Sequence, residues 1–116
     1  MFLKVYCPSD IVAGDVLYYN STTQLWERAN TIAHPVCVAR TDAQVRGDGY
    51  EVDAVFAGPV LAKASRSIPV SGGELQVENG GVYVDNNTNG QGIICPQFID
   101  NSNPRNPGDL VQIVIR

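Results

Sequence analysis

The sequence predicts a small single-domain all-β protein, a β-sandwich or open barrel with at most one or two short helical turns. The length of 116 residues is that of one domain. Such a chain buries roughly two-thirds of the surface it exposes when unfolded. Fifteen Val and eight Ile are stiff at the first side-chain torsion and suit extended backbone. Eleven Gly, seven Pro and nine Asn punctuate the chain with turns too often for long helices. Apolar residues at 44% and charged residues at 17% exclude a disordered chain.

The opening Met1-Phe2-Leu3-Lys4-Val5-Tyr6-Cys7-Pro8 alternates and reads as the first strand. It lacks the apolar segment of a signal peptide, which predicts that the chain stays in the compartment where it is made. Asp15 to Asn20 is a strand, Asn20 to Thr23 a turn, and Gln24 to Arg28 the returning strand of a hairpin. Ser21-x-x-Gln24 is a rival capping-box signature for a short helix through Ala33, but the apolar residues alternate rather than recur at helical spacing. Pro35 to Ala39 is a strand of small residues, and Thr41-Asp42-Ala43-Gln44 predicts one helical turn before Gly47. Tyr50, Val52, Ala54 and Phe56 share one face of a strand that Gly58-Pro59 breaks, and Val60-Leu61-Ala62 resumes it.

Glu74 to Val77 and Val82 to Val84 flank Asn79-Gly80-Gly81, a strong hairpin signal. Ile93 to Cys95 and Leu110 to Ile115 complete the strands. A weak repeat relates Val12-Ala13-Gly14-Asp15-Val16-Leu17 to Val70-Ser71-Gly72-Gly73-Glu74-Leu75, with Pro107-Gly108-Asp109-Leu110-Val111 as a third Gly-led approach to a strand. A turn glycine before a strand is common enough to account for it. Asp85 to Gly92 and Asp100 to Pro107 are Asn-rich surface connections.

Charge and motifs narrow the chemistry. The formal net charge is −4, with two lysines and six scattered arginines, so no basic face exists for nucleic acid or an anionic membrane. No apolar run is long enough for a membrane-spanning helix. Cys7, Cys37 and Cys95 lack zinc spacing. Cys7 and Cys95 each precede a proline and could bridge neighbouring strands, though buried free thiols are the simpler reading. His34 is the only histidine, and nothing in the spacing sets it with Cys37, Ser65 or Ser67 as a nucleophile–base pair. Asp48, Glu51 and Asp53 are the carboxylates available for glycoside chemistry, but such groups are usually solvated. Asp85-Asn86-Asn87-Thr88-Asn89-Gly90 matches the start of a calcium loop, yet its twelfth position is Pro96 rather than Glu. The expectation is no enzyme, no cofactor and no metal.

Nine of the first 26 residues are Phe, Trp, Tyr, Leu or Met. One face of a small domain cannot readily hide them all, which predicts contact with another chain. Phe2, Leu3, Tyr18 and Trp26 are the candidate contact residues, and Tyr18 and Tyr19 must face opposite sides of their strand.

The order of segments over residues 15–61 carries a resemblance. The hairpin Val16-Leu17-Tyr18-Tyr19 to Leu25-Trp26 leads to Val36-Cys37-Val38-Ala39, a loop, the strand Tyr50 to Phe56, and Gly58-Pro59-Val60. This order resembles the head decoration (cement) proteins of tailed bacteriophages, of the lambda D type and related families. The resemblance implies a β-tulip-like open barrel made in the host cytoplasm and carried on the capsid surface of the virion. It also implies homo-oligomers, with a trimer favoured, bound to the major capsid protein. The alternative is a receptor- or carbohydrate-binding module of a phage fibre or spike.

Overall fold

The computed structural model describes residues 2–32, 35–86, 92–97 and 105–116, and only the backbone of Phe2. Alternation translates directly into strands. β1 (Phe2–Cys7), β2 (Val16–Asn20), β3 (Leu25–Arg28), β4 (Val36–Ala39), β5 (Gln44–Arg46) and β6 (Gly49–Val55) form a first sheet in the order β1-β6-β4-β2-β3, with β5 added to β6. β7 (Gly58–Lys63), β8 (Gly73–Glu78), β9 (Gly81–Val84), β10 (Ile93–Cys95) and β11 (Leu110–Ile115) form a second in the order β7-β11-β10-β8-β9. Every strand ladder is antiparallel, and no helix occurs among the described residues. The protein is all-β, as its composition requires.

Both sheets curl. The outer strands β1 and β3 of the first come into contact. In the second, a parallel bridge from Ala64 to Val82 brings the end of β7 back to β9. Two cores follow. The larger lies between the sheets, where Val16, Val38 and Val55 meet Leu75, Val77, Ile93 and Ile113. The smaller sits inside the curl of the first sheet, on its opposite face, with Cys7, Leu17, Cys37, Ala39, Val52 and Ala54. Direct pairings such as Leu17 with Cys37 and Ala39 with Ala54 set these side chains on one face. Small residues predominate there because a tightly curled sheet leaves little interior volume.

One ionic knot joins the two sheets. Asp15, just before β2, is fully buried. Its Oδ2 accepts the Val12 N–H at 3.0 Å and the Arg28 Nε–H at 3.1 Å. Lys63, at the end of β7, holds its ammonium 2.7 Å from Oδ1. Arg28 also binds Asp10 through its side chain at 2.9 Å and its carbonyl at 2.6 Å. Beside this knot the β8–β9 turn plugs into the first sheet. Gly80 donates its N–H to the Ala29 carbonyl and accepts the Val16 N–H, both at 2.8 Å. Asn79 and Gly80 have φ of +47° and +75°, the left-handed pair that a two-residue hairpin turn demands. A Cβ on Gly80 would stand 2.9 Å from Arg28 Cγ.

The sequence repeat has a structural counterpart between its first and third copies. Gly14 donates to the Ala39 carbonyl at 2.8 Å, and Ala39 donates to the Asp15 carbonyl at 2.9 Å. Gly108 and Asp109 do the same with Ala64, at the same two distances. In each turn the Asp carboxylate accepts the N–H three residues back, Val12 for Asp15 and Asn106 for Asp109, at 3.0 Å. The copy at Gly72 lacks this carboxylate, since Gly73 follows it.

Two local expectations are corrected. Thr41 to Gln44 is not a helical turn: Gln44 to Arg46 form β5, paired with Gly49 to Glu51 across Gly47-Asp48. The side chains that spelled a cap are used elsewhere, Thr41 Oγ1 accepting the Asp53 N–H and Asp42 Oδ1 the Ala13 N–H. Gly58-Pro59 does not break a strand but begins β7. β7 is an edge strand, and the missing N–H of Pro59 falls on the side away from β11, where it removes no ladder bond. The favoured hairpin at Asp15 to Arg28 is present, and Gln24, the rival helix's cap partner, has φ +60° in its turn.

Asp15→Ala strands two partly buried cations at the junction, so it should cost about 3 kcal/mol of unfolding free energy. Asp109→Ala, at the exposed copy of the turn, should cost about 1 kcal/mol or less. Urea denaturation of the two variants measures both values.

Candidate functional site

The exposed apolar surface begins with the alternation of β1. Val5 and Cys7 point into the smaller core, and Leu3, on the same face, lies beyond it and is 55% exposed. On the neighbouring strands the same face continues as Tyr50 and Val45, paired across the β5–β6 hairpin. Val45 is 74% exposed, the highest value among the described large apolar residues. Tyr6 projects from the other face of β1 and is also exposed. The flank formed by β1, β6 and β5 therefore presents four large apolar or aromatic side chains.

An aromatic run lies on the β2–β3 side of the curl. Tyr19 and Trp26 are direct cross-strand partners with ring centroids 5.7 Å apart. Trp26 meets Phe56 edge-on at 5.2 Å, an arrangement favoured by the ring quadrupoles. Trp26 is half-buried against the smaller core, and Tyr19 is exposed. Tyr18 turns to the other side and packs against the main core. Of the four candidate contact residues, Leu3 thus lies at the surface, Trp26 half within the curl, and Tyr18 against the core. The Phe2 side chain lies outside the described residues. Val45 was missed in the sequence because the residues before it read as a helical turn, and Tyr50, read in its strand, was left out of the contact set because its pairing with Val45 was not foreseen; Gly47-Asp48-Gly49 was the signal available.

A second apolar feature is a groove of about 230 Å³ between the sheets, lined by Ala13, Gly14, Ala39, Pro59, Leu61 and Leu110 among others. Leu61 and Leu110 are both about half exposed on the outer face of the second sheet.

Glu51, Asp53 and Ser65, among the residues the sequence offered for chemistry, bond within the fold. Lys4 binds Asp53 at 2.8 Å, and Arg46 stands 3.9 Å from Glu51. Lys4, Arg46 and Glu51, with Val5 and Tyr6, border a small pocket of about 150 Å³. Ser65 donates its hydroxyl to the Val82 carbonyl. His34 lies outside the described residues, as do Asn87 to Gly90 of the calcium-like motif. Asn86 Oδ1 accepts the Glu74 N–H and so caps β8. Among the described residues no three His, Cys, Asp or Glu side chains converge as a metal-ligand set.

All three cysteines are buried and free. Burial pushes the Cys37 thiol up to about 12 and the Cys7 thiol up to about 11, and it raises Cys95 as well. Arg28 holds the Asp10 carboxyl below the usual carboxylate range through a hydrogen bond, and Arg66 does the same for Glu78.

Comparison with protein families, with curated proteins and with solved structures returned no match.

Two outcomes follow from these protonation states. A neutral-pH thiol reagent should leave Cys7, Cys37 and Cys95 unlabelled in the folded chain and label all three in denaturant, because the thiolate is the reactive form. The Asp10 and Glu78 pairs stabilise fully above the ordinary carboxylate pKa and lose this contribution as pH falls through the lowered folded values. Arg66→Met should return the Glu78 titration upward to the ordinary range, read by carboxyl carbon NMR.

Proposed function

We propose that the protein is a structural, non-catalytic domain that decorates and stabilises a phage capsid. Copies associate as a trimer and clamp neighbouring subunits of the major capsid protein on the virion surface. The observation that carries this reading is the flank of β1, β6 and β5, where Leu3, Val45, Tyr6 and Tyr50 remain exposed on a domain with two well-filled cores. Within it Val45 and Tyr50 are direct cross-strand partners on one face, an exposed apolar and aromatic pair of the kind that protein–protein contacts use. The segment order of residues 15–61 supplies the type of partner, through its similarity to head decoration proteins. The engagement of the carboxylates with cations, and of Ser65 with backbone, fits a chain whose polar groups serve the fold.

A second reading has its own support. Tyr19, Trp26 and Phe56 form a continuous aromatic run, and an exposed ring at its end suits stacking on a sugar, as in a receptor- or carbohydrate-binding module of a fibre or spike.

Light scattering on the purified protein, together with co-sedimentation on capsids, decides between them. Under the capsid reading the protein is a trimer that pellets with shells. Leu3→Asp and Val45→Asp should then weaken trimer formation or shell binding at least about tenfold while changing stability by about 0.5 kcal/mol or less, as exposed positions do. A protein that stays monomeric, never pellets with capsids, and binds glycans in a way that Tyr19→Ala abolishes would establish the second reading instead.

A further inference from the structure

The β8–β9 turn carries a reactive dipeptide. An Asn followed by Gly is prone to self-modification, because glycine offers no side chain to shield its backbone nitrogen from the asparagine amide. The Gly80 nitrogen, giving its proton to solvent base, attacks Cγ of Asn79. The bond from Cγ to the side-chain nitrogen breaks and ammonia leaves. The resulting succinimide takes up one water and opens to aspartate or to isoaspartate, whose main chain is one carbon longer.

Asn79 is exposed, so water and base reach it. Its neighbour is not free to react. The Gly80 N–H is donated to the Ala29 carbonyl at 2.8 Å, and the Gly80 carbonyl accepts the Val16 N–H at 2.8 Å. The Asn79 N–H is donated to Asn30 Oδ1 at 2.9 Å. Gly80 is buried against the Arg28 side chain. All of these partners belong to the first sheet or to the segment just after its strand β3, whereas the turn belongs to the second. The nucleophile is therefore committed to the contact that joins the sheets.

We propose that Asn79-Gly80 is a latent deamidation site held shut by the sheet junction. Ring closure requires the Gly80 N–H to leave Ala29, so the reaction proceeds only through junction-open states. The product acts in the same direction. An extra main-chain carbon moves Gly80 out of register with Ala29 and Val16, so an isoaspartyl chain cannot fully close the junction again.

Peptide mapping by mass spectrometry on protein aged in mildly alkaline buffer tests this, with the urea-unfolded chain as the reference. Mapping is needed because Asn89-Gly90 is a second pair of the same kind. In the folded chain, deamidation at Asn79 should run at least about tenfold slower than in the unfolded chain, since it waits on local opening. Asn30→Ala removes the acceptor of the Asn79 N–H; folded by circular dichroism, it should raise the native rate several-fold. Equal rates for Asn79 in folded and unfolded wild type would overturn the proposal. A slow native rate that Asn30→Ala leaves unchanged, with Gly80 amide exchange also unchanged, would assign the protection to turn geometry alone and overturn the role of the junction. If Asn30→Ala does not fold, Gly80 amide exchange in the wild type replaces it. Asn79 deamidation that fails to slow under conditions that slow Gly80 exchange also overturns the proposal.

Discussion

A carboxylate with no access to water must find compensation inside the protein, and at Asp15 that requirement links elements from both sheets. Arg28 arrives from β3 and Lys63 from the end of β7, so the charge is matched only when both sheets are in place. The same side chain ties back the turn that starts β2. Next to it, Gly14 accepts the Lys63 N–H and Gly80 bonds to Val16 and Ala29. Backbone and side-chain contacts thus converge within a few residues of one buried anion. The larger core, whose residues come from both sheets, closes around this junction.

The surface follows from how that junction shares out apolar residues. The second sheet covers one face of the first, and the curl of the first covers much of the other. What remains uncovered includes Leu3, near the start of β1, and Val45, on the β5–β6 hairpin beside the other end of β1. A short edge strand such as β5, with Gln44, Val45 and Arg46 all exposed, is a poor template for indiscriminate strand pairing. The geometry disfavours open-ended sheet extension at this edge.

Much of this was legible in the residues, unevenly and for physical reasons. The Asn79-Gly80 hairpin and the Asp15 to Arg28 hairpin were readable because turn chemistry and alternation are local. The β5 strand was not, since Thr41 and Asp42 spell a helix cap until their oxygens are seen bonding Asp53 and Ala13 from other segments. Pro59 read as a break because its tolerance depends on β7 being an edge, a property of the whole sheet. Asp15 read as the first residue of a strand, with nothing local to mark it as buried; its burial rests on Lys63, far along the chain. That Tyr18 and Tyr19 diverge was evident, but which one turns inward depended on where the second sheet lies. The exposed Leu3 belonged to the expected contact set, whereas Val45 went unseen with its hairpin and Tyr50, though read in a strand, was not set beside it.

The sequential layout of the sheets bears on how the chain matures during synthesis. Residues 2–55 contain every strand of the first sheet, and residues 58–115 every strand of the second. A nascent chain completes the first set of ladders before either Lys63 or the Asn79-Gly80 tip has emerged. At that stage Asp15 has one cationic partner instead of two, and Val16, Val38 and Val55 still face water. Translation therefore supplies a finished set of hydrogen bonds without a finished interior. The β11 strand sits between β7 and β10, inside the second sheet, so that sheet cannot close until Leu110 to Ile115 have emerged. The interior closes in a cooperative step that waits for β11.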